Sequence, residues 1–214
     1  DHYLIKRIGS AFPEHQILTE ETESVHGNLA EIPDLWIVDP LDGTINFSRH
    51  SKHFAISVAL VQKGVPVLGV ILLPLERKLY YASSVSPLAY CNGKPIYVSR
   101  VSEFREMVIA TDWPWNLELR KKVLPFAEKF FPVVRQIKMA GSAVADLASL
   151  AEGNIDAYYH PGLKPWDMAA AVLLIREAGG VVTTSSGLPW TISDKDIFAA
   201  SPKAYEMIER KLKE

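Results

Sequence analysis

The chain has 214 residues, 48% of them hydrophobic, which supplies one large single-core domain or two closely packed subdomains and excludes a disordered or fibrous reading. A formal net charge of −2 gives no global positive field for nucleic acid or a membrane surface, so the expected partner is a small molecule, with no membrane and with nucleic acid disfavoured. The single cysteine, Cys91, excludes an internal disulfide and any multi-cysteine metal site and fits a reducing, cytoplasmic setting, and no apolar run reaches the roughly 18–20 residues of a membrane span.

The chain opens at Asp1 inside a helical pattern, His2 to Ile8, so its natural start and any targeting segment are expected upstream. That helix is predicted to end by Phe12-Pro13, because the residue before a proline is pushed out of the α region. A polar loop or hairpin from Thr19 to Pro33 precedes the strand Leu35 to Val38. Phe54 to Val61 and Val65 to Leu73 read as a hairpin turning at Lys63-Gly64. Leu79 to Ala82 and Leu88 to Val98 read as further strands, the latter turning at Asn92-Gly93. Met107 to Thr111 is a strand, and Leu117 to Phe131 a helix that Pro125 is expected to kink or shorten. Val133 to Ile137 is extended. Gly141-Ser142 opens a small-residue helix, Ala143 to Ala151, and a short strand, Asp156 to Tyr159, follows. Asp167 to Ala178 is an alanine-rich helix closed by Gly179-Gly180, and the strands Val181 to Thr184 and Ile197 to Ala200 precede a charged C-terminal helix. Strands outnumber a simple βαβ alternation, which favours an α+β (mixed α/β) layered sandwich.

The chemistry concentrates in residues 36–47, WIVDPLDGTINF, where an apolar strand ends in two aspartates three positions apart. Asp39 and Asp42 in a partly dry pocket repel unless a cation lies between them, and a hard divalent ion with oxygen ligands is the simplest such cation. Pro40 fixes the backbone so that the carbonyl of Leu41 can face the ion. Gly43 permits a sharp turn, and Thr44 adds a hydroxyl beside amides able to hold phosphate. An isolated Asp-Pro-x-Asp-Gly reads equally well as a turn and helix cap. Further acids stand elsewhere: Glu20-Glu21 in the polar loop, and Asp167 in Pro165-Trp166-Asp167, each with its own bland reading as solvated surface or helix-dipole partner.

With these residues in place the chain resembles the inositol monophosphatase family, a branch of the magnesium-dependent, lithium-sensitive sugar phosphatases. The resemblance rests on WIVDPLDGTINF and on GLKPWDMAAAVLLIREAGG at 162–180, supported by FPEHQILTEE at 12–21, CNGKPIYVS at 91–99 and GSAVADLASLAEGNIDAYY at 141–159. It implies a layered αβαβα sandwich lacking part of its outer N-terminal helices. The implied single phosphatase domain spans 1–214, with subdomains of about 1–110 for metal and phosphate and 111–214 for the substrate ring. Glu20, Asp39, Asp42, Asp167 and the Leu41 carbonyl would be ligands to two or three Mg2+ ions. Gly43 and Thr44 would hold phosphate through their amides. Glu20, Thr44 and Asp42 would serve catalysis, with an aspartate upstream of this chain's first residue assisting Thr44. Asp112, Gly141, Ser142, Ala143 and His160 would meet the substrate.

The implied reaction is hydrolysis of inositol monophosphate or a related sugar phosphate by a metal-activated water, without a phosphoenzyme. Fructose-1,6-bisphosphate 1-phosphatase is the first alternative, and nucleotide 3′-phosphatase a weaker one. A non-catalytic protein- or RNA-binding regulator with a phosphatase-like fold is the alternative of another class. His160 departs from the glutamate that inositol-specific members carry. It can bind a second anionic group when protonated, or be a structural histidine beside Pro161. Trp113-Pro114-Trp115 can line a pocket or stack on a nucleobase, or merely anchor packing. The resemblance also implies a homodimer and inhibition by lithium.

Overall fold

The structure, a computed structural model, describes residues 1–22, 25 and 27–214. The middle of the predicted Thr19 to Pro33 loop, residues 23, 24 and 26, lies outside the described residues. Helix α1 (His2–Ala11) stops one residue before Phe12-Pro13, as the proline requires. Strand β1 (Gln16–Thr19) follows; the sequence reading had opened its loop on the last residue of this strand.

Seven strands form the first sheet: β1, β2 (Leu35–Asp42), β3 (Ala55–Gln62), β4 (Val65–Leu73), β5 (Lys78–Ser83), β6 (Ser86–Cys91) and β7 (Lys94–Ile96), paired in that order. Only β1 runs parallel to its neighbour, and the other six strands form an antiparallel meander. The second sheet is mixed, in the order β11 (Val181–Thr183), β12 (Ile197–Ala200), β10 (Ala157–His160), β8 (Val108–Thr111), β9 (Gln136–Lys138).

Two helices lie between the sheets. Helix α4 (Ala143–Ala151) and helix α5 (Pro165–Glu177) carry buried residues nearly all round, because each has a sheet or a helix on every side. Their cores merge with the inward face of β3, where Ala55, Ser57 and Ala59 are small enough to admit a helix. The approach of α5 is closest at Gly69 on β4, where a Cβ would meet the carbonyl oxygen of Ala170 at 2.6 Å. A second core lies on the far side of the second sheet. There α3 (Leu117–Phe130) and α6 (Pro202–Leu212) bring Phe126, Phe130, Ala204 and Ile208 onto Ile109, Ala157, Tyr159 and Phe198. As predicted, α3 spans almost the whole of 117–131, and Pro125 does not shorten it: the helix runs through to Phe130. The proline removes only the bond to the carbonyl of Lys121, on an exposed turn, while Val123, Phe126 and Phe130 hold the buried face. The layers therefore run sheet, helix pair, sheet, helix pair, and no described helix is long and apolar enough to cross a membrane.

Candidate metal and phosphate site

The site grows out of the end of β2. Residues Leu35 to Asp39 are buried, so β2 carries its first aspartate into the core, and Val38 pairs with both Thr19 and Val58. Pro40 has no N–H for the ladder, and the register slips between the pairs Asp39–Ser57 and Asp42–Ala55. The bulge lets the two aspartates point into one space. Asp39 Oδ1 accepts the N–H of Leu41 at 2.9 Å, and the hydroxyl of Thr44 donates to the Leu41 carbonyl at 3.2 Å. Gly43 then turns the chain with φ of 85°, where a side chain is strained. A Cβ there would also lie 3.1–3.3 Å from Ser142 Cβ, the His53 carbonyl and the Gly141 carbonyl. The short helix α2 (Thr44–Ser48) starts on this turn, and the N–H groups of a first helical turn have no intrahelical partner.

The third carboxylate arrives from α5. Pro165 occupies the first helical turn, where a missing N–H costs nothing, and Asp167 Oδ2 accepts the N–H of Lys164 at 2.8 Å. One oxygen each of Asp39, Asp42 and Asp167 lies within 4.8 Å of the others. Glu20 is not part of this trio; it stands at the exposed end of β1, its N–H 3.4 Å from the Val38 carbonyl. Its charge nonetheless adds to the repulsion felt by all three.

Electrostatics give these positions their meaning. Burial, then Asp42 and Asp167, push the Asp39 carboxyl far above its ordinary range. Burial and Asp42 raise Asp167 to about 8. Asp42 rises to about 6 through burial, held back by hydrogen bonds from Ser142 Oγ and, at 3.0 Å, from the Val144 N–H. In this trio of mutually repelling oxygen ligands, with Asp39 buried and Asp42 and Asp167 partly so, Lys164 offsets the charge of Asp167 only in part, and a divalent cation with a preference for oxygen supplies the remaining counter-charge. The donor set therefore fits such an ion.

The turn into α4 lies against Asp42. Ser142 caps the helix, its Oγ accepting from Ala145 N, and Ala143 begins it. Gly141 donates its N–H to Asp112 Oδ1 at 2.7 Å, and the Tyr158 hydroxyl donates to Asp112 Oδ2 at 3.1 Å. Burial first, then Asp146, lift the Asp112 carboxyl to about 6. Asn46 ties the two walls together, its Nδ2 donating to the carbonyls of His53 and Ala140 at 2.7 Å each. Asp112, Gly141, Ser142 and Ala143 are thus one surface beside Asp42.

His160 does not join it as a charged group. It is 4% exposed, its Nδ1 accepts the Gly162 N–H at 3.1 Å, and burial alone lowers its pKa to about 4. This burial disfavours the protonated form that binding a second anion would use, and it fits the structural alternative.

The chain matches the inositol monophosphatase family over residues 1–214. It belongs to that family. Among its relatives is a protein of Neisseria meningitidis serogroup B named as a putative Nus factor SuhB, 37% identical over 201 residues, covering 94% of this chain and 76% of that protein. The extragenic suppressor protein suhB of Bartonella henselae superposes with a TM-score of 0.91 at 35% identity, covering 100% of this chain and 81% of that one. The staphylococcal SaIMPase-II, solved with inositol monophosphate bound, gives 0.86 at 28% identity over 98% of this chain and 80% of its own, and it has also been solved with 2′AMP. The fold of the family member described here is accordingly that of these IMPase-family structures.

Sequence reading passed over Asn46, Tyr158, His53 and Asp146. Asp146 carries the one available signal, a lone carboxylate in the otherwise small and apolar stretch Ala143–Ala151.

Proposed function

We propose that the chain is a Mg2+-dependent phosphomonoesterase that hydrolyses inositol monophosphate or a related sugar phosphate with an activated water. The observation that carries this is the trio Asp39, Asp42 and Asp167, crowded within 4.8 Å beside the Gly43–Thr44 turn. The residues that would hold the ions are these three with Glu20 and the Leu41 carbonyl, whose second lone pair remains after the Thr44 hydroxyl has donated to it. Bound Mg2+ supplies a water of lowered pKa and neutralises charge on the phosphoryl oxygens. The amides of Gly43 and Thr44 bind phosphate, and the Thr44 hydroxyl with the Glu20 carboxylate orients the attacking water. Ser142 and Val144 hold the Asp42 carboxylate in one orientation, and the surface of Asp112, Gly141 and Ala143 faces the alcohol being released.

The test is phosphate release from inositol monophosphate, fructose-1,6-bisphosphate and 2′- and 3′-AMP, with Mg2+ and with chelator. Chelator-sensitive release from inositol monophosphate above the others is expected; release from fructose-1,6-bisphosphate at equal rate assigns the dual-specificity alternative. No release from any substrate sinks the reading. Asp42→Asn should lower kcat by about a hundred- to a thousandfold while leaving the fold intact, the scale of losing a principal electrostatic group. An active Asp42→Asn protein would contradict the metal assignment.

A second reading follows from the names of relatives that are Nus factors: a regulatory role through protein or RNA contacts on the same fold. It predicts that Asp42→Asn, whatever it does to phosphate release, leaves partner binding untouched.

A further inference from the structure

Behind the Gly43 turn lies a side-chain pair that the proposed chemistry does not use. His53 Nε2 meets Asp146 Oδ1 at 3.0 Å, across 93 positions of sequence. Asp146 sits buried in the first turn of α4, and its Oδ2 is buried with no hydrogen-bond partner among the described residues. Compensation for this carboxylate therefore comes from the helix N-terminus and from His53. His53 is also bound into the turn by its own backbone. Its carbonyl accepts from Asn46 and packs where a Cβ on Gly43 would be. On the other side of the pair, the entry to α4 grips both cleft carboxylates, Asp42 through Ser142 and Val144, and Asp112 through Gly141.

We propose that His53 and Asp146 form a positioning pair: their hydrogen bond locks the first turn of α4 against the segment that follows Gly43. The lock fixes the Asp42 carboxylate for a divalent ion. The pair acts through Ser142 and Val144, not on the substrate. Its surroundings fit this role. The charged groups facing His53 are Asp146, Glu76 from the β4–β5 turn and Asp112, all acidic, and the bond to Asp146 raises the imidazole's pKa against its burial. Among the described residues no lysine or arginine makes an ion pair with Asp42, Asp112 or Asp146, so His53 is the basic side chain that meets this acidic wall.

The inference rests on the metal-dependent reading, so its test measures metal binding apart from turnover. The full chain and its His53→Ala, His53→Gln, Asp146→Ala and double His53→Ala/Asp146→Ala variants are titrated with Mg2+ by calorimetry and assayed for phosphate release from inositol monophosphate. His53→Ala and Asp146→Ala should each weaken Mg2+ binding about tenfold and lower kcat about as much, with KM within about twofold, the scale of losing a partner that orients a ligand. The double variant should be no worse than either single one. His53→Gln, which keeps a donor toward Asp146, should recover most of the loss. Unchanged Mg2+ affinity in folded variants, losses that multiply in the double variant, or equal losses in His53→Ala and His53→Gln each overturn the proposal. If Asp146→Ala does not fold, the contrast between the two variants of the partly exposed His53 decides. A wild-type chain that binds Mg2+ yet releases no phosphate ends the phosphatase reading and leaves the affinities to judge the pair. A wild-type chain that binds no Mg2+ overturns both.

Discussion

A glycine placed between two aspartates and a threonine would pass as an ordinary turn residue, but Gly43 is held by two independent constraints. Its φ of 85° is one that L residues adopt at a cost of about 1–2 kcal/mol, and carbonyl oxygens crowd the space a Cβ would fill. Gly43→Ala should therefore lower stability by about 2 kcal/mol in urea denaturation, since the strain and the crowding add. It should also displace Thr44 and depress phosphate release; a variant with wild-type stability would show that the turn relaxes at no cost. At this scale the sequence was legible where chemistry is dense. Asp39, Leu41, Asp42, Gly43 and Thr44 could be read together because they are neighbours in the chain, and Asp167 by resemblance. His53 and Asp146 could not, since nothing local in either segment announces a contact across 93 positions.

Helix α5 illustrates what an element adds to its residues. Its sequence is apolar with little amphipathic contrast, and the structure gives the reason: it is packed against both sheets and α4, with residues Met168 to Ile175 all buried. Gly69 sets how near it comes to β4. Gly69→Ala would drive a methyl group into the carbonyl of Ala170, and overpacking of this kind costs about 1–3 kcal/mol. The expected result is a lower melting temperature together with weaker Mg2+ binding, because the helix carries Asp167 at its start. Calorimetry of the purified variant checks both; loss of stability with unaltered Mg2+ affinity would show that the start of α5 moves independently of its middle. Helices α4 and α5 and strand β12 were readable from small or apolar runs with clear stops. Strand β1 was not read as one, because its four residues, Gln16–Thr19, lead straight into a polar loop, and its strand character comes from pairing with β2. The span of α3 was readable too, but not that Pro125 would leave it unshortened, which is decided by Phe126 and Phe130 reaching the second core.

For the whole molecule, the acidic trio couples stability to pH. Asp39 and Asp167 have folded-state pKa values raised from 3.8 to about 8 by burial first and then by neighbouring carboxylates. The folded metal-free chain therefore binds more protons than the unfolded chain between those values. The stability that these two carboxyls contribute is fully present below about pH 4 and is lost as pH rises toward about 8. A bound cation replaces those protons, so the rise in melting temperature on adding Mg2+ should be small near pH 5 and grow steadily to pH 8. Scanning calorimetry with and without chelator checks this, and a Mg2+ effect independent of pH would mean that the trio does not carry the ion. The layered mixed α/β class followed from the count and order of strands, whereas which edges meet and how far the sheets stand apart depend on small residues such as Ala55, Ala59 and Gly69.

Asp39 and Asp42 belong to the first sheet, while Asp167 belongs to the helix wedged between the two sheets. No fragment carrying only the first sheet owns all three carboxylates. Metal affinity is consequently a gauge of docking: an intermediate in which the meander has formed but α5 has not seated would hold an ion poorly, and the gain in affinity during refolding would time the moment the halves close.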